Sequence, residues 1–235
     1  MDDLAGKLAA VRDRIERAGG DTERITLVAV TKGFDASAVR AALAAGVRDV
    51  GESYVQELTA KVAALQAEGL GAEGSGADAG AAGPAPVWHF VGRLQRNKVR
   101  KAAPHVALWH SVDRLALGAE IARWAPGAAV LAQVNTTGEE TKGGCPPTGV
   151  GDLVAGLREL GLDVRGLMTI GPPGPPEGAR PAFQLLRELA ETHGLKELSM
   201  GMTGDLEVAV EEGATIVRVG TALFGPRPVR PGMRH

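Results

Sequence analysis

Eight short apolar segments recur along the chain, each parted from the next by a stretch with helical spacing, and this alternation constrains the fold more than any other feature. The segments are 25–32, 47–50, 87–91, 106–110, 129–135, 164–170, 197–200 and 215–219. The first, from Ile25 to Lys32, is rich in β-branched residues without polar alternation, the pattern of a strand covered on both faces of a parallel sheet. Helical stretches are predicted between the segments, at 35–45, 51–66, 95–103, 113–123, 150–160, 180–193 and 204–212. One more comes first: Leu4, Leu8, Val11 and Ile15 mark an amphipathic helix over 3–18, stopped by Gly19 and Gly20. Their count and order predict an α/β fold, a single (β/α)8 TIM-type barrel with an extra N-terminal helix. A doubly wound open sheet is the rival, but no G-x-G-x-x-G follows the first strand.

A chain of 235 residues with 44% apolar content can bury a sizeable core, and one domain over 1–235 is expected. Residues 68–86 are dominated by Gly, Ala, Ser and Pro and are read as a flexible surface insertion. A formal net charge of -2 gives no general attraction to nucleic acid or anionic membranes, and 3% aromatic residues argue against base-stacking surfaces. The one cysteine, Cys145, excludes an intrachain disulfide and suits a reducing compartment. Its Gly-Gly-Cys-Pro-Pro setting suggests an incidental exposed thiol. No signal-peptide pattern opens the chain and no apolar run approaches the roughly 20 residues of a membrane span, so a cytoplasmic protein is expected.

In such a barrel the C-terminal strand ends meet at one face, where the chemistry of the fold sits. Lys32 ends the first strand. An amine there loses hydration, its pKa falls, and the neutral form attacks aldehydes; a solvated or salt-bridged lysine is the plain alternative. Other strand ends offer Glu52, Ser53, His89, His110, Ser111, Gln133, Asn135 and Met168. Ser199, Met200, Arg218, Gly220 and Thr221 follow on strands seven and eight, whose loops commonly hold phosphate in this fold. Together these suit a phosphorylated aldehyde. His89 and His110 fit packed core residues and functional ones equally well. The run Arg93, Arg96, Lys98, Arg100 and Lys101 suits a solvated helix face or a phosphate-contacting patch. No spacing of His, Cys, Asp and Glu suggests a metal.

The stretches Val28-Ala-Val-Thr-Lys32, Gly51-Glu-Ser-Tyr-Val-Gln-Glu57, Trp88-His-Phe-Val-Gly-Arg-Leu-Gln-Arg-Asn-Lys98 and His110-Ser-Val-Asp113 are followed by Gln133-Val-Asn135, Gly166-Leu-Met-Thr-Ile170, Leu198-Ser-Met-Gly-Met202 and Val217-Arg-Val-Gly-Thr-Ala-Leu-Phe-Gly225. In that order they resemble the motifs of the pyridoxal phosphate homeostasis proteins, the YggS/PROSC family, over nearly the whole chain. The resemblance implies a barrel like the N-terminal domain of alanine racemase, with pyridoxal 5'-phosphate (PLP) held as a Schiff base on Lys32. It also implies Ser199, Met200, Gly220 and Thr221 around the phosphate and Arg218 against the pyridine nitrogen. Ser53 stands where the family usually has Asn, which leaves a cofactor contact at that position open. Gly33 and Phe34 depart from the polar residue that usually follows the lysine.

A permanently cationic Arg218 disfavours a protonated pyridine nitrogen and so weakens carbanion chemistry. The chain also stops just past the eighth strand, without the domain that brings related racemases a second base. The expected function is therefore a PLP carrier or buffer in vitamin B6 and amino-acid homeostasis, with no catalytic residue beyond the lysine. PLP-dependent apo-enzymes are candidate recipients, no membrane or nucleic-acid partner is expected, and a monomer is anticipated. The alternatives are a single-domain racemase or lyase using His89 or His110 as proton carrier, and a Schiff-base aldolase acting on phosphosugars.

Overall fold

In the computed structural model, which describes residues 3–70, 85–139 and 142–228, eight parallel strands close into a barrel in sequence order. The chain opens with α1 (Leu4–Arg17), capped by Asp3, whose carboxylate accepts from the Gly6 amide. Then come β1 (Thr26–Val30), α2 (Ala36–Ala44), β2 (Asp49–Glu52), α3 (Val55–Ala67), β3 (Val87–Phe90), α4 (Val99–Ala102) and β4 (Val106–Val112). The second half holds α5 (Leu115–Trp124), β5 (Ala129–Gln133), α6 (Val150–Glu159), β6 (Asp163–Met168), α7 (Arg180–Thr192), β7 (Glu197–Ser199), α8 (Leu206–Glu211), β8 (Ile216–Val219) and α9 (Thr221–Phe224). Pairing of β1 with β8 closes the ring. The predicted TIM-type barrel with its extra N-terminal helix is thus the observed fold.

Strand side chains alternate between two apolar layers. Val28, Val30, Leu108, Leu131, Met168 and Ile216 pack together inside the barrel. Residues one step out of phase, such as Ala29, Val50, Phe90, Trp109, Leu167 and Val217, pack outward against the helices. Close approach demands glycine in places. A Cβ on Gly166 would lie 1.9 Å from the carbonyl oxygen of Glu197 on the neighbouring strand.

Element ends shift by a few residues, and three differences from the sequence reading have a clear physical cause. The second strand starts at Asp49 because Gly46 adopts φ +83° and the Val47 amide returns to the Ala42 carbonyl, so Val47 closes α2. The basic stretch 95–103 divides into a 3₁₀ turn, Arg96–Lys98, and the single turn of α4. Cys145 is not exposed: it bridges Val134 beside β5, with its amide on the Gln133 carbonyl, and burial pushes its thiol pKa up to about 11. Of the expected insertion at 68–86, residues 71–84 lie outside the described residues. Among the described residues no helix is long and apolar enough to cross a membrane.

Helix α1 packs across α8 and α9 through Leu4, Leu8, Val11 and Ile15. Its Arg14 pairs with Glu207 of α8 at 2.6 and 2.7 Å and also donates to the carbonyl of Thr203 at 2.9 Å. The extra helix therefore holds the loop after β7, a wall of the site described next.

Candidate functional site

At the C-terminal end of the barrel a cavity of about 230 Å³ is lined by Lys32, Arg218, Gly220 and Thr221, with Met202, Thr203 and Gly204 from the loop after β7. Val30, Phe34, Val91 and Ile170 supply apolar wall, and Arg227 closes one side. The in-phase residues of β1 explain the lysine: Val28 and Val30 face the interior, so Lys32, two steps on, does too. The same parity in β8 turns Ile216, Arg218 and Gly220 inward.

Lys32 is half-buried, and its amine pKa is lowered by burial first and then by the cations Arg227 and Arg218, with Glu52 opposing. Its backbone is tied down on the outer side of the sheet. Thr31 points outward, and its carbonyl and hydroxyl both accept from Lys61 of α3, at 2.7 and 3.1 Å. Glu52, fully buried, accepts from the Thr31 hydroxyl at 2.7 Å and pairs with the Lys61 ammonium. Burial raises the Glu52 pKa, opposed by Lys61. Glu52 is therefore a scaffold residue between sheet and helix, not a group of the cavity wall. Next in the chain, Gly33 takes φ +84°, and its amide donates to Glu57 at 2.7 Å.

Arg218 is buried and spends Nη1 on the Ser199 hydroxyl (2.6 Å) and Nη2 on the Thr169 carbonyl (2.8 Å). Burial lowers its pKa to about 10, still cationic at neutral pH. Thr203 links the two loops by accepting from the Ala222 amide at 3.2 Å. The amides of Thr203, Gly204 and Gly220 donate to no other described residue. An amine, a guanidinium and three residues whose amides have no partner among the described residues thus line one small volume.

The remaining sequence-derived candidates fall elsewhere. Ser199 and Met200 are buried and off the cavity wall; Met200 points outward into the helix-facing core. Ser53 lines a separate cavity with Tyr54, Arg93, Lys98 and Arg114. His89 and His110 are buried in the barrel and hydrogen-bonded to one another at 2.9 Å. Among the described residues no cluster could hold a metal ion. Thr203, Gly204, Arg227 and Lys61 were missed. Only Lys61 carries a sequence signal, a lysine within the buried stripe Leu58, Val62 and Leu65 of α3.

The alanine racemase N-terminal domain family matches residues 7–228. A pyridoxal phosphate homeostasis protein of Pseudomonas aeruginosa is 41% identical over 234 residues, covering 96% of this chain and 95% of that one. That of Escherichia coli K12 is 38% identical over 244 residues, covering 97% and 98%. The structure of PipY of Synechococcus elongatus with PLP bound superposes with a TM-score of 0.77 at 35% identity, over 95% of this chain and 100% of that one. By sequence, by length and by the barrel on which it is built, the chain belongs to the family of pyridoxal phosphate homeostasis proteins.

Proposed function

We propose that this chain binds PLP covalently through the Lys32 amine and serves as an intracellular carrier in PLP and amino-acid homeostasis. The observation that carries this reading is that Lys32, Arg218 and the loops after β7 and β8, whose Thr203, Gly204 and Gly220 amides have no partner among the described residues, line one 230 Å³ cavity. The PLP-bound relative supports it. When bound, PLP supplies an aldehyde carbon with which a neutral amine condenses, releasing water. Lys32 is suited to that task because burial and two neighbouring cations raise the neutral fraction of its amine. The amides of Thr203, Gly204 and Gly220, with the Thr221 hydroxyl, would hold the phosphate. Arg218 donates hydrogen bonds and accepts none, so it would bind an unprotonated pyridine nitrogen and resist its protonation.

That polarity favours storage over turnover, because a neutral pyridine is a weak electron sink. The histidines do not offset it: neither His89 nor His110 lines the cavity, so neither is placed to move a proton at a ligand bound there. The carrier would work as a monomer and hand PLP to apo-enzymes. Borohydride reduction followed by peptide mapping tests the attachment. A phosphopyridoxyl group on the Lys32 peptide, and a visible band absent from Lys32→Ala, are expected; a fully occupied chromophore in Lys32→Ala overturns the reading. Exchange of amino-acid α-hydrogens in deuterated water at enzymatic rates would replace the carrier with an enzyme.

A further inference from the structure

Inside the barrel, four hydrogen bonds join five residues from β2, β3, β4, β7 and β8. Arg218 Nη1 donates to Ser199 Oγ at 2.6 Å, and Ser199 Oγ lies 2.8 Å from His110 Nδ1. His110 Nε2 is 2.9 Å from His89 Nδ1, and His89 Nε2 is 2.9 Å from Asp49 Oδ1. The line runs from Asp49, the first residue of β2 and half-exposed at the N-terminal end, to Arg218 at the cavity.

Both ends have fixed polarity. A guanidinium only donates and a carboxylate only accepts. His89 must then carry its proton on Nε2 to serve Asp49, which leaves Nδ1 as an acceptor in the neutral ring. His110 must donate from Nε2, leaving its own Nδ1 to accept the Ser199 hydroxyl proton. Ser199, its proton spent, accepts from Arg218 with a lone pair. The reverse arrangement needs a doubly protonated His89. It would leave Ser199 accepting from two donors with its own proton unpartnered among the described residues, and would add a second buried cation to Arg218. Burial, His89 and Arg218 also hold the His110 imidazole well below its ordinary range.

We infer that Asp49, His89, His110 and Ser199 form a one-way chain of neutral, Nε2-protonated imidazoles that positions Arg218, making the two histidines positioning residues for the group bound at the cavity. Two consequences follow. The chain cannot carry protons to the cavity, because it ends on a group that accepts none. The Ser199 hydroxyl is committed to His110 and is not a donor to a bound phosphate.

The assignment of protons stands without PLP; the effect on binding rests on the function proposed above. Two measurements keep them apart. Long-range ¹⁵N–¹H spectra of the PLP-free protein near pH 8, above the ordinary imidazole range, are expected to show pyrrole-type Nε2 and pyridine-type Nδ1 in both rings. His89→Gln and His110→Gln provide the assignments. An Nδ1-protonated tautomer at either ring overturns the chain whatever the protein binds. The second measurement is PLP titration of Ser199→Ala, which removes one oxygen and keeps the fold. Roughly ten-fold weaker binding, set by one lost hydrogen bond to a charged group, is expected together with a shifted absorbance maximum and an unchanged site of borohydride labelling. Wild-type affinity and an unshifted spectrum in Ser199→Ala would overturn the positioning role. Failure of the wild-type protein to bind PLP would overturn the proposed function and the positioning role with it, while the proton assignment would stand on the spectra alone.

Discussion

Lys61→Met isolates the polar group beneath the site without touching the cavity. Methionine keeps most of the buried stem of a side chain that is only 4% exposed, so the loss is the ammonium and its hydrogen bonds to Thr31 and Glu52. Glu52, 0% exposed, then holds an uncompensated charge. Breaking a buried pair from one side costs about 3–5 kcal/mol. For a chain of this size each kcal/mol moves the melting temperature by about 2–4 °C, which gives a fall of about 6–20 °C. The carboxyl has a way out: burial already raises its pKa above the ordinary 4.5, and without Lys61 it rises further. Between 4.5 and that raised value the native variant holds a proton that the unfolded chain has released, so its stability falls as pH rises through this window. The penalty should therefore be larger near neutrality than near pH 5. Urea denaturation of Lys61→Met, Glu52→Gln and the double variant at both pH values checks this. The double variant should recover part of the loss, giving a coupling of about 2 kcal/mol or more. A Lys61→Met cost below about 1 kcal/mol near neutrality, as for an ordinary surface substitution, would refute the reasoning.

Three further outcomes follow from single residues. The pKa of buried His110 is depressed in the folded state, so between it and 6.5 the unfolded chain binds a proton that the native protein does not. Stability is thus retained above pH 6.5 and lost below it at about 1.4 kcal/mol per pH unit, a slope that should be missing in denaturation curves of His110→Asn. Gly33→Ala forces a Cβ into φ +84°, 3.2 Å from the Arg227 side chain, and should cost about 1–2 kcal/mol in thermal unfolding while weakening PLP binding. Cys145, with its pKa raised from 9.0 to about 11, should react with a thiol reagent about 100-fold more slowly than an exposed cysteine, and at the ordinary rate once urea unfolds the chain.

The barrel was legible because its signal is repetitive: eight buried strands each write the same apolar run, and helices with their own period separate them. The site was legible only where strand parity could be followed. Lys32 continues the inward phase of Val28 and Val30, and Arg218 and Gly220 continue that of Ile216. A contiguous motif hides this alternation. Reading Ser199 and Met200 together joins one residue that points inward to another that points into the helix layer. Thr203 and Gly204 lie past the strand, where parity no longer applies, and the Arg14 contact that fixes their loop spans 189 residues of sequence. Asp49 was overlooked for the opposite reason, since the polar line it starts enters from the far end of the barrel.

The two buried polar groups sit on opposite faces of one sheet, and each fixes a side chain that the cavity uses. Outside, Lys61 and Glu52 hold the Thr31 peptide and with it the root of Lys32; inside, the histidine line holds Arg218. Neither group lines the cavity. On the function proposed above, their contribution to binding would be preorganisation: an amine and a guanidinium already in place lose less freedom when the ligand arrives. The same linkage runs the other way. A ligand bound only by the folded chain adds RT ln(1 + [L]/Kd), about 2.7 kcal/mol at a hundred times Kd. PLP at that excess should therefore stabilise wild type and Lys61→Met alike by that free energy, read as a rise in melting temperature. At one fixed saturating PLP concentration it should stabilise the variant less, by RT ln of the factor by which its Kd has grown. Equal affinities would mean that anchoring Thr31 serves the fold alone.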